Sequence, residues 1–316
     1  MAADAAIEVS GLAKRFGRVR AVAGLDFEVA TGELFGFLGP NGAGKTTTVR
    51  MLTGVLRPTA GTANIQGHDI RREGLLSRAH LGIVPEAANV YLDLSVWRNV
   101  MLMAELHGLP RRRRRQEGER LLEALGLADR RRHKARTLSK GLRQRLMLCT
   151  ALVTGPEVLF LDEPTSGLDV ASARLIRQIV ADLNRDGLTV FLTTHNMDEA
   201  EAMCSRVAII DHGRLVAVDT PDRLRSAMQS SRCLEVAFAG GRTDLPGLDD
   251  LPGVLRVGRE GARLHLYGER PGRLTAGVAR LAADAGLEIE HMCTRAPSLE
   301  DVFLQFTGEP EGQDRP

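Results

Sequence analysis

One glycine-rich segment constrains this chain more than any other feature of its sequence. Residues 33–38 form a compact apolar run that we predict to be a buried strand, and residues 45–56 are predicted to be a helix. They are joined by Gly39, Pro40, Asn41, Gly42, Ala43, Gly44, Lys45, Thr46 and Thr47. Strand, glycine loop and helix in this order are typical of a phosphate-binding loop. The sequence therefore predicts a nucleotide site here, which a chance glycine-rich turn would not explain.

Each residue type in this loop suits the binding of a nucleoside triphosphate. Glycines let the backbone wind so tightly that successive N–H groups point at phosphate oxygens, and the positive end of the following helix adds to the attraction. Lys45 is predicted to reach the β- and γ-phosphates, and Thr46 is predicted to offer its hydroxyl to Mg²⁺.

A second apolar run, residues 158–161, ends in two adjacent carboxylates, Asp162 and Glu163. A carboxylate at a strand tip suits Mg²⁺, which predicts that Asp162 holds the ion directly or through water. Glu163 is predicted to orient or deprotonate the water that attacks the γ-phosphate. Two acids after a strand are equally typical of a solvated turn, so this prediction depends on the phosphate loop.

Further segments occur in a fixed order around the loop and the acids: Phe16, Val84-Pro85-Glu86, Leu138-Ser139-Lys140-Gly141-Leu142, Ser166-Gly167-Leu168-Asp169 and His195. Over residues 7–222, their order and spacing resemble the ABC ATPases. The segment at residues 138–142 is similar to the ABC signature, commonly Leu-Ser-Gly-Gly-Gln, and residues 166–169 are similar to the D-loop. The fold that this resemblance implies is an α/β P-loop NTPase.

The resemblance implies that two ATP molecules sit at the interface of a dimer. Each signature segment would face the phosphate loop of the other subunit, so that Ser139 and Gly141 contact the γ-phosphate. Asp169 belongs to the D-loop that borders the same nucleotide, and Phe16 stands where an aromatic ring stacks on adenine. His195 would sense the γ-phosphate and hold the attacking water with Glu163.

The implied catalytic set is Lys45, Glu163 and His195, and the implied Mg²⁺ ligands are Thr46, Glu86 and Asp162. The chain departs from the family pattern at three positions. Glu86 replaces a glutamine, which adds charge near the phosphates. In the signature, Lys140 replaces a glycine and Leu142 replaces a glutamine. We expect ATP binding to be retained, and the rate of hydrolysis is left open.

The end of the chain, residues 296–308, resembles ATPases that serve ABC-2 type exporters, of which the daunorubicin/doxorubicin-resistance ATP-binding proteins are the best-known group. The resemblance implies a homodimer or pseudo-symmetric dimer at the cytoplasmic face of the cell membrane, working with a separate multi-helix permease that chooses the cargo. The same segment also fits an amphipathic helix that docks on its own domain through Leu299, Val302, Phe303 and Phe306.

The chain is predicted to contain an ATPase domain, residues 1–225, and a small C-terminal α/β domain, residues 232–307, followed by a disordered tail, residues 308–316. Alternating apolar strands and helices predict a mostly parallel sheet in the first domain. Residues 7–29 are predicted to form short antiparallel strands interrupted by Gly11, Gly17 and Gly24. Residues 87–155 are predicted to be a helical subdomain that carries the signature and touches the permease.

Composition excludes some other classes. A formal charge of +2 and an aromatic content of 4% do not favour a nucleic-acid partner. The four cysteines are far apart in sequence, and their spacing supports neither a zinc site nor a disulfide framework. We find no signal peptide and no run long enough to cross a bilayer. Residues 111–136 carry eleven Arg or Lys against four acids, which fits a solvated helical face or attraction to anionic lipid or an acidic partner.

Two other functions stay open from sequence alone. One is a non-transport ABC ATPase of the translation-factor or chromosome type, although those carry two cassettes or long coiled coils, and this chain has one phosphate loop and no sustained heptads. The other is a regulatory or resistance protein that binds ATP without driving transport. The presence of Lys45, Asp162, Glu163 and His195 favours an active enzyme.

Overall fold

The computed structural model describes residues 5–87, 89–227, 232–268, 271–295 and 298–307. It divides the chain into two compact units, Met1–Thr220 and Pro221–Pro316. The sequence-based boundary, between residues 225 and 232, lies slightly further along the chain, and the extent of the independently folding domains stays a prediction. The tail at residues 308–316 and the side chain of Phe306 lie outside the described residues.

The first unit contains two sheets and the helices that cover them. Its strands are β1 (Ala5–Phe16), β2 (Val19–Ala30), β3 (Leu34–Leu38), β4 (Ala60–Ile65), β5 (His68–Asp69), β6 (Leu81–Val84), β7 (Val158–Asp162), β8 (Thr189–Thr194), β9 (Arg206–Asp211) and β10 (Arg214–Asp219). Its helices are α1 (Lys45–Leu52), α2 (Gly74–Ala79), α3 (Val96–Leu106), α4 (Arg111–Ala124), α5 (Lys140–Leu152), α6 (Val170–Arg185) and α7 (Met197–Met203).

The central sheet has the strand order β10-β9-β3-β8-β7-β6. Apart from β10, which pairs antiparallel with β9, its strands are parallel. Every residue of β3, β7 and β8 is buried, as expected for parallel strands covered on both faces. Leu38 pairs with Thr194 and Asp162 pairs with Thr193, so these three strands end together at one edge of the sheet. This arrangement confirms the predicted α/β fold.

The N-terminal sheet has the order β2-β1-β4-β5 and is antiparallel. The prediction of short strands interrupted by glycines was wrong, because β1 and β2 are each 12 residues long. Gly11 and Gly24 lie inside these strands with φ of +57° and +98°. At these left-handed glycines the register of pairing between β1 and β2 shifts, which bends a strand without ending it. Only Gly17 stands at the turn between the two strands.

The chain between β6 and β7 contains the helices α3, α4 and α5, and that they form a separate subdomain that touches the permease stays a prediction. Ser95 caps α3, with its hydroxyl accepting a hydrogen bond from the backbone N–H of Arg98 at 3.2 Å. Gly118 of α4 permits a close approach to α3, since a Cβ there would lie 2.4 Å from the terminal methyl of Met101. Among the described residues, no helix is both long and apolar enough to cross a membrane.

The second unit contains α8 (Pro221–Ala227), β11 (Arg232–Phe238), β12 (Arg256–Glu260), β13 (Arg263–Gly268), α9 (Pro271–Asp284), β14 (Ile289–Arg295) and α10 (Leu299–Thr307). Its sheet has the order β12-β13-β11-β14, with all pairs antiparallel. One face of the sheet is apolar and packs with α9 around Val236, Leu266 and Val278. The alternate residues form the other face, which we call the polar face.

Candidate nucleotide site

Two positions of the loop after β3 can hold only glycine. A Cβ at Gly39 would lie 2.2 Å from the carbonyl oxygen of Ile210, and a Cβ at Gly44 would lie 2.6 Å from the carbonyl oxygen of Ala21. Gly44 also has a φ of +108° and stands at the N-terminus of α1, which no side chain caps. The loop therefore packs tightly against its neighbours and presents the uncapped positive end of α1.

The ammonium group of Lys45 lies at the centre of this loop and is buried. Its Nζ donates to the carbonyl oxygens of Gly39 at 2.6 Å and Pro40 at 3.2 Å. It also forms an ion pair with Oε1 of Glu163 at 3.3 Å. A buried charge is tolerated only with such partners, so Lys45 and Glu163 stabilise each other in the protein without ligand.

Asp162 is the last residue of β7, and its Oδ1 accepts hydrogen bonds from two threonine hydroxyls. The Oγ1 of Thr193 donates at 2.5 Å, and the Oγ1 of Thr46 lies at 3.4 Å. These contacts place a carboxylate and a hydroxyl side by side at the start of α1. Oxygen donors of this kind are the ligands that Mg²⁺ prefers.

Glu163 adopts a left-handed backbone conformation, with a φ of +51°. Its backbone N–H donates to the carbonyl oxygen of Thr193 at 3.1 Å, which holds the turn in place. The Oε2 of Glu163 lies 2.8 Å from Nδ1 of His195, whose side chain is about half exposed. A non-glycine residue held in this region is strained, and such strain is concentrated at functional sites.

Lys45, Thr46, Glu163 and His195 border a cavity of about 250 Å³ in the first unit. The residues that line it are Ala21, Pro40, Asn41, Gly42, Gly44, Lys45, Thr46, Thr47, Glu86, Glu163, Ser166 and His195. Most of them were predicted from the sequence. Ala21 and Ser166 were not; Ser166 lies in the D-loop segment that the sequence already marked, whereas Ala21 carried no signal.

Seven of the predicted site residues are not among the described residues that line the cavity: Phe16, Gly39, Ala43, Ser139, Gly141, Asp162 and Asp169. Gly39 and Ala43 belong to the glycine loop itself, and Asp162 contacts Thr46, which does line the cavity. Phe16 ends β1 with its ring 49% exposed, and Nζ of Lys14 lies 5.2 Å from the ring centroid. Ser139 caps α5, with Oγ accepting from the backbone N–H of Leu142 at 3.3 Å. A single chain therefore does not gather the whole predicted set at one place.

The signature segment and the D-loop are neighbours within the chain. A Cβ at Gly141 would lie 2.5 Å from Oγ of Ser172 in α6, so only glycine allows this contact. A Cβ at Gly167 would lie 2.4 Å from Nζ of Lys140. Lys140, the departure from the family signature, therefore places its ammonium group against the backbone of the D-loop.

Asp169 caps α6 in this structure. Its Oδ1 accepts from the backbone N–H of Ser172 at 2.8 Å, and its Oδ2 accepts from the Ser172 hydroxyl at 2.7 Å. These bonds, the backbone bond first, hold the pKa of the Asp169 carboxyl below its usual value. Because the folded pKa is lowered, the stabilisation is present above the unfolded pKa of about 3.9 and is lost as pH falls through the folded pKa.

We expect Asp169→Ala to lower the melting temperature by a few degrees at neutral pH, because α6 loses its cap. Asp169→Asn should lower it less, since asparagine caps helices nearly as well. Thermal unfolding followed by circular dichroism at several pH values checks both. The difference between wild type and Asp169→Ala should shrink in acid, and a difference that grows in acid would contradict the capping role.

The fold and the site together define an α/β P-loop NTPase: a buried parallel strand, a glycine loop, an uncapped helix N-terminus, a buried lysine and a pair of acids at the neighbouring strand tip. The sequence model of the ABC transporter family matches residues 22–166. The chain is 40% identical over 309 residues to the daunorubicin resistance ATP-binding protein DrrA3 of Streptomyces coeruleorubidus, covering 97% of each protein.

Two other comparisons agree. The Nod factor export ATP-binding protein I of Ralstonia nicotianae is 39% identical over 307 residues, with 96% of this chain and 94% of that protein covered. The solved structure of cbiO1 from Clostridium perfringens, part of an ABC transporter complex, matches with a TM-score of 0.65 at 26% identity, covering 71% of this chain and 91% of that chain. The chain belongs to the family of ABC transporter ATP-binding proteins, and it binds and hydrolyses ATP.

Proposed function

We propose that this chain powers export through a separate membrane permease of the ABC-2 type, working as a homodimer at the cytoplasmic face of the membrane. The observation that carries the proposal is the convergence of Lys45, Glu163 and His195 in one cavity at the glycine loop. Similarity to proteins named for drug resistance and Nod factor export, over nearly the whole chain, supports the direction of transport.

In this proposal Glu163 accepts the proton of the water that attacks the γ-phosphate. Its two carboxylate oxygens are separately held, Oε1 by Lys45 and Oε2 by His195. A carboxylate fixed at both ends is oriented before substrate arrives, which is what positioned acid–base catalysis requires. Lys45 exchanges its contact with Glu163 for the phosphates when ATP binds. Oε1 of Glu163 is then free to accept the proton, while His195 keeps the carboxylate oriented through Oε2.

The residues present fit a Mg²⁺ ion. Thr46 and Asp162 lie together at the start of α1, and the exposed carboxylate of Glu86 lines the same cavity. All three offer hard oxygen donors, as Mg²⁺ prefers. The ion would neutralise charge that develops on the phosphate oxygens. Thr193, which donates to Asp162 at 2.5 Å, keeps that carboxylate oriented.

We expect Glu86→Gln, which restores the glutamine usual in the family, to raise the Mg²⁺ concentration for half-maximal ATPase activity. Removing one charge near the ion costs about 1 kcal/mol, or roughly a three- to tenfold shift. A Mg²⁺ titration of steady-state phosphate release measures it. Glu123→Gln on α4, also exposed, is the matched control. An unchanged or lower Mg²⁺ requirement would show that the charge of Glu86 does not help to hold the ion.

The homodimer completes the nucleotide site in this proposal. Ser139, Gly141 and Asp169 lie outside the cavity of their own chain, and we assign them to the ATP held by the second copy. Ser139 stands at the N-terminus of α5, whose positive end favours the γ-phosphate. Phe16 is assigned to adenine, since its ring is exposed and available for stacking. ATP then favours the closed pair because it contacts both copies.

The permease, rather than this chain, selects the cargo in this proposal. The similar proteins are named for daunorubicin resistance and for Nod factor export, although each is about equally similar to this chain, at 40% and 39% identity. In this division of labour, the chain supplies the energy of ATP hydrolysis.

The exporter proposal is tested by purifying the tagged chain from gently solubilised membranes of its own source. Mass spectrometry then identifies the proteins that co-purify. We expect one multi-helix membrane protein in equal amount. The matched control is the same tag on an unrelated soluble protein. Recovery of ribosomal or chromosomal proteins, or of no membrane partner from preparations that hydrolyse ATP, would leave the ATPase assignment intact and overturn the transport role.

A further inference from the structure

The polar face of the second unit carries an unusual set of side chains. Antiparallel pairing sets Glu235 of β11 opposite Cys293 of β14, and it sets Ala237 opposite His291. Paired residues, and residues two apart on one strand, point to the same side of a sheet. Glu235, His291 and Cys293 therefore lie together on this face, although they are far apart in sequence.

Two of the three separations between their donor atoms are those that a small metal ion requires. The Nε2 of His291 is 3.3 Å from Sγ of Cys293 and 3.8 Å from Oε1 of Glu235, and all three donor atoms lie within 4.8 Å of one another. Bonds of about 2.0–2.3 Å to a tetrahedral ion place neighbouring donors about 3.3–3.8 Å apart. Little movement of these side chains would be needed to hold an ion.

We propose that Glu235, His291 and Cys293 form a binding site for a divalent transition-metal ion of the Zn²⁺ class. A thiolate, an imidazole and a carboxylate are the three ligand types that Zn²⁺ takes, whereas Mg²⁺ and Ca²⁺ prefer oxygen alone. The Cys293 thiol gives up its proton on binding. His291 and Cys293 are exposed, so water completes the fourth position and the ion has a path of entry.

One contact competes with the ion. The Nη1 of Arg263 lies 2.5 Å from Oε1 of Glu235, the same oxygen that faces His291. The Arg263 side chain is 60% exposed, so it can turn into solvent at little cost. Arg295 contacts the other carboxylate oxygen, with its Nε 3.9 Å from Oε2 of Glu235, and its Nη1 pairs with Asp301 at 3.1 Å. It therefore leaves Oε1 of Glu235 to the ion. The metal would therefore replace Arg263 at Glu235, and removing Arg263 should strengthen binding.

Sequence spacing gave no support for a zinc site, because the four cysteines are far apart. The proposed site uses only one of them and takes its other ligands from β11 and from two residues earlier on β14. The other thiols are buried. Burial raises the pKa of the Cys149 and Cys204 thiols, and it raises that of Cys233 to about 11. Absorption from a thiolate–metal bond at neutral pH is therefore assigned to Cys293.

Titration of the full chain with Co²⁺, without ATP and with excess Mg²⁺, tests this proposal. Cobalt takes zinc sites, and its thiolate charge-transfer absorption identifies a cysteine ligand. We expect one Co²⁺ per chain, displaced by Zn²⁺. Cys293→Ser should abolish the charge-transfer band, and His291→Ala should weaken binding at least about tenfold. Arg263→Ala should tighten it. His107→Ala, an exposed histidine of the first unit, should change nothing.

Several outcomes would overturn the site. They are no Co²⁺ bound by the folded chain, an unchanged band in Cys293→Ser, or equal losses in His291→Ala and His107→Ala. The proposal is independent of the exporter role. Lys45→Ala should bind Co²⁺ as tightly as the wild type. Co²⁺ binding tests the metal site and the search for a permease tests the exporter role, so either proposal can fail without the other.

Discussion

Glu163→Gln is expected to slow ATP turnover about 10²- to 10⁴-fold while ATP still binds. The amide keeps the size of the side chain, and its carbonyl oxygen can still accept a hydrogen bond from His195, but it cannot take a proton from water. The substitution also removes the ion pair between Glu163 and Lys45, so the ammonium group of Lys45 can bind phosphate without giving up that contact. Phosphate release measures turnover, and equilibrium binding of a labelled ATP measures affinity.

In the presence of ATP and Mg²⁺, this variant should also accumulate as a dimer, because ATP that is not hydrolysed keeps the two copies together. Sedimentation or light scattering with and without ATP reports the change. Glu157→Gln serves as the control, since Glu157 is an exposed acid that pairs with His80 outside the cavity. Turnover at the wild-type rate in Glu163→Gln would rule out Glu163 as the base.

Lys45→Ala is expected to weaken ATP binding at least about tenfold to a hundredfold and to abolish hydrolysis. A hydrogen bond to a charged group contributes about 1.5–3 kcal/mol. The ammonium group of Lys45 is buried within the glycine loop, where it would make such bonds to the phosphates. The substitution also leaves the Glu163 carboxylate buried without its cation, so we expect a lower melting temperature without ligand. ATP titration calorimetry and thermal unfolding check the two effects.

The matched control is Lys134→Ala, which removes an exposed lysine from the helical subdomain. It should leave affinity, turnover and melting temperature close to those of the wild type. Wild-type ATP affinity in Lys45→Ala, in a protein that is still folded, would mean that the glycine loop does not hold the phosphates.

The core of the first unit could be predicted because its strands are short, continuous and apolar. The run predicted at residues 158–161 corresponds to Val158–Asp162, and the run predicted at residues 33–38 corresponds to Leu34–Leu38. Helix α1 was predicted to reach residue 56 but ends at Leu52, since Gly54 follows with a φ of +73°. Local pattern identifies such elements well and their ends less well.

Long-range contacts could not be predicted. Ala21 enters the cavity wall because its carbonyl packs on Gly44, and nothing in the sequence around Ala21 marks that approach. Thr193 holds Asp162 only because β7 and β8 pair in one register. The strand tips were predictable one at a time, whereas their mutual distances depend on how the sheet is assembled.

The proposed metal site illustrates the same limit in the second unit. Glu235 and His291 meet only through the pairing of β11 with β14, so no spacing rule applied to the sequence would join them. By contrast, the order of the glycine loop, the signature segment and the paired acids was enough to identify the family. Their chemistry depends on short contiguous motifs, which can be read directly from the sequence.

We propose that two copies of this chain form the active ATPase, each completing the nucleotide site of the other. The most direct measurement is the specific ATPase activity of the purified wild-type chain over a wide range of its own concentration, at saturating ATP and Mg²⁺. We predict that activity per chain rises with concentration and then reaches a plateau as dimers form. Activity per chain that is constant down to concentrations at which sedimentation finds only monomers would contradict the claim.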